Sequence, residues 1–176
     1  MFPSLRTLKL RQTSLSDASV SNFLARCPNL QRLDLSFTLV QHLPLLLSNA
    51  QSPPLQKLSL TSTAVNSADL LRAIQSLPQL RTLSLGAMGI NRGSQASIGN
   101  STAMTLNDDT LRALTDILQA FVHLEDISLV GNTKLGSSSK VDSALWIFLD
   151  RVGKKCKVLQ DILYCYIEPD RPFIRS

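Results

Sequence analysis

LPQLRTLSLGAMGI, residues 77–90, has the same shape as three earlier segments: FPSLRTLKLRQTSL at 2–15, CPNLQRLDLSFTLV at 27–40 and SPPLQKLSLTSTAV at 52–65. The four align without a gap. Their first leucines, Leu5, Leu30, Leu55 and Leu80, are each 25 residues apart. Pro3, Pro28, Pro53 and Pro78 keep the same interval, and so do Thr13, Thr38 and Thr63. A period of 20–50 residues marks a chain built from stacked supersecondary units, none of which can bury its own apolar face alone.

Outward from these four, the pattern continues at wider spacing. FVHLEDISLVGNTKL (121–135) supplies Leu124, Ile127 and Leu129, and CKVLQDILYCYI (156–167) supplies Leu159, Ile162 and Tyr164. Six strand units are therefore expected. Each LxL is a short parallel strand whose alternate residues point inward. The segments between them have helical spacing: Leu70, Leu71, Ile74 and Leu77 in one, Leu111, Leu114, Ile117, Leu118 and Phe121 in another. Ser16 or Asp17, Asn66 or Ser67, and Asn107 are the expected helix caps, and Asp108 and Asp109 favour the positive end of the dipole. Pro44 is expected at a helix start, where its missing N–H costs nothing. The proline two places before each first leucine ends the helix and sets an extended entry to the next strand.

The pattern resembles the leucine-rich-repeat family, LxxLxLxxN or LxxLxLxxC, and most closely its ribonuclease-inhibitor-like and F-box/LRR branch. The resemblance covers nearly the whole chain. It implies an α/β fold: a right-handed leucine-rich-repeat solenoid, an open horseshoe arc with about six parallel strands on the concave face and helices on the convex face. Thr13, Thr38 and Thr63 depart from the family's Asn or Cys, with Met88 next and Asn132 in the fifth unit. A threonine hydroxyl can still donate to the carbonyls of the turn. One domain is expected over residues 1–176, with a flexible insertion at about 91–106 (NRGSQASIGNSTAMTL) and a C-terminal tail at about 168–176.

Composition fits a folded domain with an aliphatic core: 44% of residues are hydrophobic, only 5% aromatic. No apolar run approaches the roughly 20 residues of a membrane span. The amino terminus has no apolar h-region, and three cysteines do not suit a disulfide framework, so an intracellular compartment, cytoplasmic or nuclear, is expected. The net charge of +5 resides wholly in residues 1–88, where eight Lys/Arg face three Asp/Glu; residues 89–176 hold ten of each. Such a basic half suits a partner with acidic character.

Residue types for chemistry are scattered. Cys27 and Cys156 stand three places before a first leucine, a phase that predicts a buried helix-end site. His42 and His123 are expected in different helices with no spaced partner. No Walker loop, GxGxxG or Ser/His/Asp arrangement is present, so no enzyme, cofactor, metal or small-molecule substrate is expected. Family likeness alone adds two other functions: substrate recognition for an F-box/LRR ubiquitin ligase, whose F-box has no counterpart in this chain, and small-GTPase regulation, for which no activating residue can be mapped.

Binding is expected instead from the concave face. The third, fifth, seventh and eighth places of each unit should face solvent there, a strip of about 24 Å at roughly 4.8 Å per strand. The candidate partner-binding residues are Lys9, Arg11, Arg32, Asp34, Phe37, Lys57, Ser59 and Thr61, with an exposed Phe37 beside arginine as the expected hot spot. A protein partner is expected, and nucleic acid is disfavoured because aromatics do not alternate with the basic residues. The apolar segment VDSALWIFLDRV, with Leu145, Trp146, Phe148, Leu149 and Val152, should pack beneath the last strand rather than on a membrane.

Overall fold

Each of the four ungapped units contributes one three-residue strand at its LxL centre, and the strands pair in parallel in the order in which they occur. The computed structural model describes residues 1–47, 54–87, 106–132, 135, 143–156 and 158–160. The α/β chain runs β1 (Thr7–Lys9), α1 (Asp17–Leu24), β2 (Arg32–Asp34), α2 (Leu43–Leu47), β3 (Lys57–Ser59), α3 (Ser67–Gln75), β4 (Thr82–Ser84), α4 (Asp108–Leu118), β5 (Asp126–Ser128), α5 (Ala144–Arg151), a 3-10 turn at Gly153–Lys155, and β6 (Val158–Gln160). The sheet is six-stranded, in the order β1-β2-β3-β4-β5-β6, and every pairing is parallel.

The 25-residue period dictates the register. Leu8 pairs with Leu33, Leu33 with Leu58, and Leu58 with Leu83. Ile127 then meets Leu83 across the wider gap. The ladder extends past the strands: the N–H groups of Leu10, Leu35, Leu60 and Leu85 donate to Asp34, Ser59, Ser84 and Ser128 carbonyls at 2.8–2.9 Å. At each entry one carbonyl accepts two donors, as Gln31 does from Gln56 and Lys57, and Gln56 does from Arg81 and Thr82.

The inward leucines form one aliphatic cluster with the helices. Leu33, Leu35, Leu58, Leu60, Leu83, Leu85, Ile127 and Leu129 are buried beside Val20, Leu70, Ile74, Leu111, Leu114 and Phe148. Each fully buried leucine removes about 1.5–3 kcal/mol of apolar surface from water. The first unit is different. Leu5, Leu8, Leu10 and Leu15 are only partly buried, whereas their counterparts Leu30, Leu33, Leu35 and Val40 are at most 1% exposed. Among the described residues nothing pairs with the outer edge of β1.

Capping follows the sequence. Ser16, Asn66, Asn107 and Ser143 each accept the N–H of the residue three places on. Asp17 does more, since its carboxylate takes the N–H groups of Gln41 and His42, both at 3.1 Å, and so ties α1 to the start of α2. Pro44 lies in the first turn of α2.

The threonine positions also behave as their chemistry requires. Thr13, Thr38 and Thr63 donate their hydroxyls to Leu10, Leu35 and Leu60 carbonyls at 2.7, 2.6 and 3.1 Å. Asn132 does this twice, to Leu85 and Leu129 at 2.8 Å, while its side-chain oxygen accepts the N–H of Leu106 at 2.9 Å. Just before this position Gln12, Phe37 and Ser62 adopt φ of 59°, 60° and 54°, and Gly131 adopts 80°. A left-handed residue reverses the chain after each of these strands, at a cost of roughly 1–2 kcal/mol when it is not glycine.

Four expectations need correction. The sixth strand is Val158–Gln160, with Leu159 opposite Ile127, three residues earlier than the LxxLxL phase places it. The reason is the connection: six residues, 76–81, link α3 to β4, and the six of 152–157 repeat that length between α5 and β6, one fewer than 119–125 between α4 and β5. Cys156 consequently takes the first-leucine position, its N–H bonded to Gly153 as Leu30 is to Cys27, and it is half-buried rather than sealed like Cys27. Trp146 is 57% exposed, because the apolar stripe of α5 runs through Ala144, Phe148 and Val152. His42 and His123 lie in loops, just before α2 and β5, not in helices. Of the insertion expected at about 91–106, Leu106 is buried, and residues 91–105, like Cys165 and the tail at 168–176, lie outside the described residues.

Candidate functional face

Period-2 alternation turns the residues flanking each inward leucine onto the opposite, open face of the sheet. Two rows result. The first is Thr7, Arg32, Lys57, Thr82 and Asp126, and the second is Lys9, Asp34, Ser59, Ser84 and Ser128, each residue in register with the next. Between them lies a groove of ≈490 Å3, bordered by Lys9, Arg32, Asp34, Lys57, Arg81 and Glu125.

Register brings Arg32 directly across from Lys57, both exposed. Among the described residues neither has an anionic partner. One strand on, the opposite choice is made: Arg81 Nη1 meets Glu125 Oε1 at 2.6 Å. Asp34 lies within the cationic part; its carboxylate accepts the N–H of Ser36 at 3.0 Å and makes no ion pair among the described residues. Asp126 follows Thr82 in the first row, before Val158 of β6, and its Oδ1 is buried with no hydrogen-bond partner among the described residues.

Of the candidate residues, the structure places Lys9, Arg11, Arg32 and Lys57 in solvent, and Asp34 and Thr61 half-buried. Ser59 is buried, as is Ser36. Their side chains are too short to rise above the longer ones around them in a closely spaced sheet. Phe37 is half-buried rather than open: the guanidinium of Arg11 lies 4.9 Å from its ring centroid, a cation–π contact from one repeat to the next. The left-handed backbone at Phe37, whose N–H donates to Thr61, aims this ring toward β1.

No protein-family model and no curated protein matches the chain. The site therefore rests on its own geometry. The described residues hold no group of three or more His, Cys, Asp or Glu suited to a metal ion. Burial pushes the Cys27 thiol above its ordinary pKa, and burial together with the nearby Asp126 carboxylate does the same to Cys156, the reverse of an activated nucleophile. Among the described residues no helix is long and apolar enough to cross a membrane.

Sequence reasoning found the exposed cations but missed three polar members of the groove, Gln56, Arg81 and Glu125. They stand at the place after the first leucine, which alternation alone does not assign to the open face. For Arg81 and Glu125 a signal was available: opposite charges at the same place in consecutive units.

Proposed function

We propose that the chain is a leucine-rich-repeat protein, right-handed and of the ribonuclease-inhibitor-like type, that performs no chemistry and binds a partner protein in an intracellular compartment. The partner docks on the open face across β1 to β4 and presents acidic groups to Lys9, Arg32 and Lys57. Arg11 and Phe37 form an amphipathic anchor at one side of the contact.

One observation carries this reading. Arg32 and Lys57 stand side by side in solvent and, among the described residues, neither is ion-paired, in a fold that pairs Arg81 with Glu125 at the entries to β4 and β5. Like charges directly across a strand pair destabilise a sheet, so an arrangement of this kind is best explained by what it binds.

The test is affinity capture with quantitative mass spectrometry, using the full chain as bait. Wild type, Phe37→Ala and a double Arg32→Glu/Lys57→Glu variant would be compared. The reading predicts a discrete set of proteins enriched on wild type and lost from the charge-reversed bait, with partial loss for Phe37→Ala. Identical capture by all three baits would defeat it.

A further inference from the structure

The first row of the open face has a composition that a general acidic patch does not require. Across β1 to β4 it reads Thr7, Arg32, Lys57, Thr82: two cations flanked by two hydroxyls, with no acceptor-only side chain among them. Adjacent strands lie about 4.8 Å apart, so the arginine fork and the lysine ammonium can converge on one group held between them. Beyond Thr82 the row turns acidic at Asp126, and Glu125 sits beside it, already paired with Arg81. Asp34 faces the same groove from the second row.

We infer that Arg32 and Lys57, flanked by Thr7 and Thr82, form a recognition site for a single phosphorylated serine or threonine on the partner protein. This rests on the reading of the open face as a protein-binding surface. A phosphoryl group carries close to two negative charges and three strong acceptor oxygens, which matches the two adjacent cations and their several N–H donors. A carboxylate supplies one charge and would leave one cation unbalanced. A nucleic acid or other polyanion laid across the strands would run from the cationic pair onto Asp126 and Glu125, and the aromatic ring beside the pair, Phe37, is already capped by Arg11. The acidic end thus restricts the site to one localised dianion.

The experiment uses the full chain and fluorescence polarisation with short degenerate peptides fixed at one position as phosphoserine, serine or glutamate. The phosphoserine pool is expected to bind at least about tenfold more tightly than the serine pool, as befits charge-assisted hydrogen bonds. That preference should fall by about tenfold in Arg32→Gln and again in Lys57→Gln, and stay unchanged in Arg72→Gln, an exposed arginine on α3. Inorganic phosphate should compete on the wild-type chain, an outcome independent of any variant. Equal binding of the three pools, or a phosphoserine preference retained in both glutamine variants, overturns the site. So does a heparin or single-stranded RNA probe that binds more tightly through the same two residues. Peptide binding that needs Arg32 and Lys57 but ignores phosphorylation overturns this inference while leaving the protein-binding reading intact.

Discussion

The side chain of Asn132 holds the backbone of Leu106, accepting its N–H at 2.9 Å, while its own amide protons go to the carbonyls of Leu85 and Leu129. One buried residue thus satisfies three backbone groups from three parts of the chain: the end of the fourth unit, the start of α4 and the turn after β5. Thr38 and Thr63 do a third of this, each donating one bond.

The difference sets an order of stability. Asn132→Ala orphans buried polar groups at three places and should cost roughly 3–5 kcal/mol, against about 1–2 kcal/mol for Thr38→Val, whose shape is kept. Urea unfolding followed by circular dichroism would show the ranking, and equal midpoints for the two variants would contradict it.

A second ordering follows from the outer edge of β1. Leu58→Ala, in the sealed centre of the core, should lose about 3–5 kcal/mol. Leu8→Ala occupies the same place in its own unit but is half-exposed, so it should lose about half as much. The same unfolding measurement applies, and equal losses would mean that the β1 edge is covered in solution.

Charge reversal at Lys57 should separate stability from binding. Placing a carboxylate opposite Arg32 replaces repulsion by attraction, so Lys57→Glu should raise stability by about 0.2–1 kcal/mol while abolishing capture of the acidic partner. A variant that loses both stability and binding would assign Lys57 a structural role.

Gly86 is a packing requirement. A Cβ there would lie 3.0 Å from Thr61 Cγ2 and 3.1 Å from the Val130 carbonyl oxygen. Gly86→Ala should destabilise by about 1–3 kcal/mol, and adding Thr61→Ser, which deletes the closer methyl, should restore part of the loss. Strict additivity of the two changes would refute the contact.

The buried Cys27 thiol predicts a dependence on alkaline pH. Its folded pKa is raised by burial, so as pH climbs the unfolded thiol ionises first, and stability present below the ordinary thiol pKa of about 8.5 is lost above it. The urea midpoint of wild type should therefore fall more between about pH 7.5 and pH 9.5 than that of Cys27→Ala. Parallel slopes would show that the thiol does not contribute.

The first five strand centres, their inward leucines, the Asn107 cap and the exposed cations were legible because each follows from local spacing, whereas spacing left Ser16 or Asp17 and Asn66 or Ser67 open and did not single out Ser143. Leu33, Leu58 and Leu83 could be placed opposite one another by counting alone. What counting missed depended on neighbours. The sixth strand is positioned by the length of its link to α5 rather than by its best leucine pattern, and the burial of Ser59 depends on the side chains around it. Phe37 was expected to be exposed, and its capping by Arg11 needs the left-handed turn that only the backbone reveals.

The exact match between the sequence interval and the strand register makes the molecule extensible. Because Leu33, Leu58 and Leu83 are interchangeable in their surroundings, inserting or removing a block of 25 residues would bring equivalent leucines together again and leave the interior almost unchanged. The open face would meanwhile grow or shrink by one rung. Selection can thus edit the side chains displayed there, rung by rung, without renegotiating how the chain folds.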